Sequence, residues 1–116
     1  MHVIVKARHM NLTQALRSYA EEKLGASLRK IADSDAMHLL VELDDLGQLH
    51  RHESNKACRI HVYMPRHRPL ILNEVDSNMY KAIDLAHDRI LTLVKRELER
   101  SRTSRLRKAH ASAHLV

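Results

Sequence analysis

Apolar residues alternate with polar ones along some stretches of this chain and recur every three to four residues along others. The two rhythms divide it into six elements. In residues 2–8 (HVIVKAR), Val3, Val5 and Ala7 fall on one side and Lys6 and Arg8 on the other, which predicts a strand. Thr13 then precedes Leu16, Ala20, Leu24, Leu28 and Ile31, the spacing of one helix face with a threonine at its N-cap. Gly25 falls inside that helix, where glycine costs roughly 1 kcal/mol relative to alanine, and predicts a kink or an end to its regular part. Tyr19, Lys23 and Lys30 run along one flank. After a turn at Ala32-Asp33-Ser34-Asp35, Met37, Leu39, Val41 and Leu43 alternate with polar neighbours as a second strand. The polar stretch 46–54 reads as a hairpin connection. Cys58, Ile60, Val62 and Met64 mark a third strand over about 56–64, Pro65 to Pro69 a second hairpin loop, and Leu70 to Val75 a fourth strand. Asp76-Ser77-Asn78 offers the N-cap of a second helix. Its apolar face is Met79, Ile83, Ala86, Ile90, Leu93, Val94 and Leu98, and nothing breaks it before about Arg102.

The order β-α-β-β-β-α predicts an α+β two-layer sandwich, a four-stranded sheet with both helices on one face. Residues 1–101 read as one domain, and 102–116 as a basic C-terminal tail that either extends the helix or stays without fixed structure. The second sheet face carries Arg8, His38, Glu42, Arg59 and His61 and is expected to meet water. A length of 116 residues with 44% hydrophobic side chains suits a single core. No apolar run reaches the roughly 18–20 residues of a membrane span. The start, MHVIVKARHM, lacks a signal-peptide pattern, and the single cysteine, Cys58, forms no internal disulfide; a reducing cytoplasm is the expected home.

Charge sharpens the picture. Residues 1–88 carry 12 basic and 12 acidic side chains, residues 89–116 carry 8 and 2, so the whole net charge of +6 lies at the C-terminal end. A polyanion such as nucleic acid is the partner this asymmetry suggests. At 100° per residue, Arg89, Arg96 and Arg100 fall within about 40° of one another, a row of about 16 Å beside the buried stripe. Arg102, Arg105, Arg107 and Lys108 would continue it. A guanidinium fork can hold one phosphate by two hydrogen bonds. Lys23 and Lys30 would extend the patch if the two helices lie side by side. With three Tyr and neither Phe nor Trp, stacking against bases would rest on Tyr19 or Tyr80.

Other chemistry finds less support. His50-x-His52 could begin a metal site, but no HExxH or Cys pair accompanies it, and no cofactor is expected. The only glycines, Gly25 and Gly47, build no phosphate loop. Cys58 shares the apolar strand face, and Asp84 with Asp88 reads as an exposed acidic sector; no catalytic set is apparent and no enzyme is expected.

Two motifs carry a resemblance. Residues 12–25, Leu-Thr-Gln-Ala-Leu-Arg-Ser-Tyr-Ala-Glu-Glu-Lys-Leu-Gly, follow I-T-P-A-L-R-x-Y-x-E-x-K-L, and residues 76–84, Asp-Ser-Asn-Met-Tyr-Lys-Ala-Ile-Asp, resemble E-D-M-Y-x-A-I-D. Ile60-His61-Val62 adds a shorter match. Over roughly residues 1–100 the chain resembles the ribosome hibernation promoting factor / ribosome-associated inhibitor A family. The resemblance implies a fold similar to double-stranded RNA-binding domains. It also implies a non-enzymatic inhibitor of translation that binds ribosomal RNA in the decoding groove of the small ribosomal subunit. By position it implies RNA contacts at Arg17, Lys23, Arg89, Lys95 and Arg96; the helical projection adds Arg100, and the tail adds Arg102 and Arg105. No small-molecule substrate or membrane partner is implied, and the free protein is expected to be a monomer. Gln14 stands where the family has proline, and Thr92-Leu93-Val94 where it has a further basic contact. A His-rich, metal-responsive or stress-related binding protein, or a general RNA-binding module, are the alternatives.

Overall fold

A computed structural model describes residues 1–32, 34–48 and 55–114, and the side chains of all of these except 48, 105 and 107–114. The elements follow as β1 (His2–Arg8), α1 (Gln14–Ile31), β2 (His38–Asp45), a short 3-10 turn (Leu46–Gln48), β3 (Lys56–Tyr63), β4 (Leu70–Asp76) and α2 (Met79–His114). The four strands form one sheet in the order β1-β2-β3-β4. β1 runs parallel to β2, with Val3 beside Leu39 and Val5 beside Val41. β2 and β3 are antiparallel, pairing Val41 with Ile60 and Leu43 with Cys58, and β3 pairs antiparallel with β4. This is the α+β sandwich expected from the alternating and helical rhythms.

Strand alternation sends Leu39, Val41, Leu43, Cys58, Ile60, Val62 and Leu72 to one face of the sheet. Leu16, Ala20, Leu24 and Leu28 of α1, and Met79, Ile83, Ala86, Ile90 and Val94 of α2, close over them in one core. The core is aliphatic because the chain has no Phe or Trp to offer. Both helix starts are capped as their residues suggest. Thr13 Oγ1 accepts a hydrogen bond from the Leu16 N–H at 3.2 Å. Asn78 Oδ1 accepts from the Tyr80 N–H at 2.9 Å, and Asp76 Oδ2 accepts from the Asn78 N–H at 2.8 Å.

Gly25 departs from its reading. It does not end α1, which runs on to Ile31, and it is buried. A Cβ built there would stand 3.7 Å from Val3 Cγ2, so glycine sits where the helix comes close to β1 rather than at a break. Helix α2 is the other surprise in scale. Its 36 residues run to His114, and at about 1.5 Å per residue they span about 54 Å. The sheet is far shorter, so the helix projects past it and the molecule measures 63 × 27 × 17 Å. The loop between β3 and β4 meets α2 near that exit: His67 Nδ1 lies 3.2 Å from Glu97 Oε1, both side chains largely buried. Among the described residues, no helix is long and apolar enough to cross a membrane.

Candidate functional site

Helices α1 and α2 lie side by side on the sheet, and polar side chains fill the outer part of the seam between them. Tyr19 Oη donates a hydrogen bond to Asp84 Oδ1, and Lys23 Nζ stands 2.7 Å from the same oxygen. Lys23 also sits 5.6 Å from the centroid of the Tyr19 ring, whose edge meets Tyr80 at 5.0 Å between centroids. Burial alone would raise the Asp84 carboxyl, but the hydrogen bonds from Lys23 and Tyr19 outweigh it and hold the group below its ordinary value. The same carboxylate, as hydrogen-bond partner, raises Lys23 and Tyr19 above theirs. Asp84 is therefore not part of an exposed acidic sector, as its spacing from Asp88 suggested. It is the residue that fixes Lys23 and Tyr19 across two helices.

One turn further along, Ser27 Oγ lies 2.7 Å from His87 Nε2, and His87 Nδ1 lies 2.9 Å from Asp88 Oδ1. A carboxylate can only accept, so Nδ1 carries a proton, and in the neutral imidazole Nε2 accepts from the Ser27 hydroxyl. The order Ser-His-Asp is that of a nucleophilic triad. Its setting differs: all three residues sit within helices, where the neighbouring main-chain N–H groups are spent on i→i−4 bonds and form no oxyanion hole. The set ties α1 to α2.

The basic candidates divide into two groups. Counting 100° per residue along α2, Lys95 and Arg102 point within about 20° of Asp84, on the seam side, where α1 brings Lys23 and Lys30. Arg89, Arg96 and Arg100 point about 120–160° away, toward the β4 flank. There Arg89 pairs with Glu74 of β4, and Arg100 stands 3.9 Å from Glu97 of its own helix. Lys23 and Lys30 thus share the seam side with Lys95 and Arg102 rather than the side of the arginine row, Lys95 lying about 16 Å and Arg102 about 27 Å further along α2 than the Asp84 that Lys23 meets. Among the described residues, no carboxylate lies within ion-pair distance of Lys30, Lys81, Lys95, Arg96 or Arg102. Arg17 is exposed beside Glu21 at 4.0 Å. The Arg105 side chain, and those of Arg107 and Lys108, lie outside the described part.

Glu74 is not among the residues singled out from the sequence, and Asp84 reads there only as a surface acid. Only the packing of α2 against α1 and β4 reveals them. Among the described residues, no group of three or more His, Cys, Asp or Glu side chains is placed to hold a metal ion, while His50 and His52 lie outside the described residues. Cys58 is buried on the core face, and burial, with Glu74 nearby, pushes its thiol up to about 12.

Comparison with known proteins adds the following. The family model described as "Sigma 54 modulation protein / S30EA ribosomal protein" matches residues 3–102. The structure is similar to the N-terminal domain of Protein Y from Thermus thermophilus, with 30% sequence identity and a TM-score of 0.67. That match covers 83% of this chain and 98% of the other. It is also similar in fold to a ribosomal subunit interface protein from Coxiella burnetii, with 19% identity, a TM-score of 0.65, and 83% and 96% of the two chains covered. Among curated proteins, no sequence matches.

Proposed function

The chain belongs to the Sigma 54 modulation protein / S30EA ribosomal protein family, and on that premise we propose that it is a ribosome-associated translation inhibitor acting without chemistry of its own. It docks the outer face of its two helices on ribosomal RNA in the decoding groove of the small subunit, in the cytoplasm, and so blocks the mRNA and tRNA sites. The observation that carries the site assignment is the run of cations left without carboxylate partners among the described residues: Lys30, Lys81, Lys95 and Arg102 on that face, and Arg96 at its edge toward the β4 flank. Such groups are free to displace the counterions of a phosphate backbone. Lys23, fixed by Asp84, supplies a cation whose direction is set in advance. Arg89 and Arg100 border this face on the β4 flank, and Arg105 follows further along α2. Occlusion needs only tight, shape-selected docking, which fits the lack of an oxyanion hole at Ser27.

Co-sedimentation of the full chain with separated subunits, at low and high salt and fixed Mg²⁺, tests the reading. The expected result is salt-sensitive binding to the small subunit, lost when mRNA and initiator tRNA already occupy it. A Lys95→Gln, Arg96→Gln, Arg102→Gln variant should bind more weakly with its fold intact. Undiminished binding by that variant would remove the site assignment. Equal binding to bulk RNA would leave a general RNA-binding module in its place.

A further inference from the structure

The second face of the sheet points away from both helices, and the docking reading above leaves it unused. The strand register sets its side chains in rows. His2, His38 and Tyr63 form the first, Ile4, Leu40, His61 and Ile71 the second, and Lys6, Glu42, Arg59 and Asn73 the third. In the first two rows the rings lie flat against one another. The His2 and His38 rings are 5.2 Å apart at 17°, and those of His61 and Tyr63 are 6.2 Å apart at 18°. Beside them Ile4 is 51% exposed, Ile71 58% and Tyr63 41%, an apolar and aromatic surface open to solvent.

Of the two carboxylates on this face, Asp44 Oδ1 lies 2.8 Å from His9 Nδ1, while Glu42 stands 3.9 Å from His61 Nε2, beyond hydrogen-bond reach. Lys6, Arg8 and Arg59 have no carboxylate within ion-pair distance among the described residues. Lys6 and Arg59 stand four residues along their strands from the ring row, about 13 Å at 3.3–3.4 Å per residue.

We propose that this open sheet face is a second binding surface, for single-stranded RNA, whose bases stack on the exposed rings of His2, His38 and Tyr63, the last backed by the half-buried His61, while its backbone reaches Lys6 and Arg59. Imidazole and phenol rings both serve as base platforms, and stacking tolerates any base because each has a π-face. Parallel rings at exposed positions with cations one strand length away are the arrangement such a strand requires. A second copy of the chain is the poorer fit. The apolar side chains of the face, Ile4, Leu40, Ile71 and Val75, are interrupted by the polar row of Lys6, Glu42, Arg59 and Asn73, whereas a stable interface takes roughly 800 Å² per partner. The single strand is argued from the rings; the choice of RNA over DNA rests on the ribosomal reading.

The test uses the full chain and a fluorescein-labelled ten-nucleotide uridine oligomer, followed by anisotropy, beside an abasic oligoribose phosphate of the same length. The base-bearing strand should bind at least about fivefold more tightly than the abasic one. His38→Ala with Tyr63→Leu should abolish that preference, and Tyr63→Phe, which keeps the ring, should retain it. Circular dichroism checks the fold of each variant. The sheet variants should still co-sediment with the small subunit, and the Lys95/Arg96/Arg102 variant should keep its base preference. Equal affinity for the two strands overturns the proposal, as does a preference that survives loss of the rings. Concentration-dependent self-association removed by the same ring substitutions, with no base preference, would put a second copy in place of RNA. Base-dependent binding without any small-subunit binding would overturn the ribosomal reading and leave the platform standing.

Discussion

Replacing Asp84 by asparagine isolates what one charge does at the helix seam. The amide would keep an acceptor oxygen near Tyr19 but lose the charge that Lys23 faces at 2.7 Å. The ion pair is part-exposed, with side chains 30% and 42% accessible, which places it near the top of the 0.2–1 kcal/mol range for such pairs. The weaker bond from Tyr19 adds some tenths more, so Asp84→Asn should cost about 1 kcal/mol, or about 3–6 °C in Tm for a domain of this size. The pH dependence carries the sign. Asp84 is held below its ordinary value of 3.8, so its contribution is present above that pH and is lost as pH falls through the lower, folded value. Lys23 and Tyr19 are raised above 10.5 and 10.0, so their share is present below about pH 10 and is lost as pH climbs through the raised values. Urea melts of the two proteins should therefore differ by a constant amount between about pH 5 and 9 and converge at both ends. A difference that stays undiminished at about pH 2.5 would refute the ion pair as its source. No difference at neutral pH would show that Lys23 is not held by Asp84 at all.

Other expectations follow from single positions. Gly25→Ala places a methyl 3.4 Å from the Arg29 guanidinium and 3.7 Å from Val3, ordinary contact distances, in a helix interior. It should raise stability by about 0.5–1 kcal/mol in thermal melts, and a loss of stability would show that the methyl is not accommodated between Arg29 and Val3. The Cys58 thiol, pushed up to about 12 by burial, should resist Ellman's reagent in the native protein and react only at the rate of global unfolding. Stoichiometric labelling within the mixing time would contradict its burial.

Some of this was readable in advance and some could not be. β2 and β3 alternate without interruption, because one face of each is buried and the other is wet, so both strands follow from residue type alone. Thr13 and Asn78 announce their helices for an equally local reason. Gly25 misleads because a propensity cost of about 1 kcal/mol describes an isolated helix, whereas here the buried face of α1 carries the helix through it. Asp84 misleads because a helical projection shows which residues share a side but not what the next helix brings to it. Arg89 is similar, since its partner Glu74 is fifteen positions away on β4. The ring platform is the extreme case. His2, His38 and Tyr63 come from three strands, and only the register puts them together. A count of Phe, Tyr and Trp, which made stacking look scarce, leaves out the imidazoles that supply two of the three exposed rings.

The projecting end of α2 has a hydrodynamic consequence. A compact chain of 116 residues has a radius of gyration of about 13 Å, whereas this one reaches 17.2 Å. By the same scaling that radius belongs to a compact protein of roughly 220 residues. A single copy would therefore leave a gel-filtration column earlier than a compact chain of its mass. Its frictional drag comes from a rod standing out of a small sandwich, so light scattering, which weighs particles rather than timing them, is the measurement that counts chains.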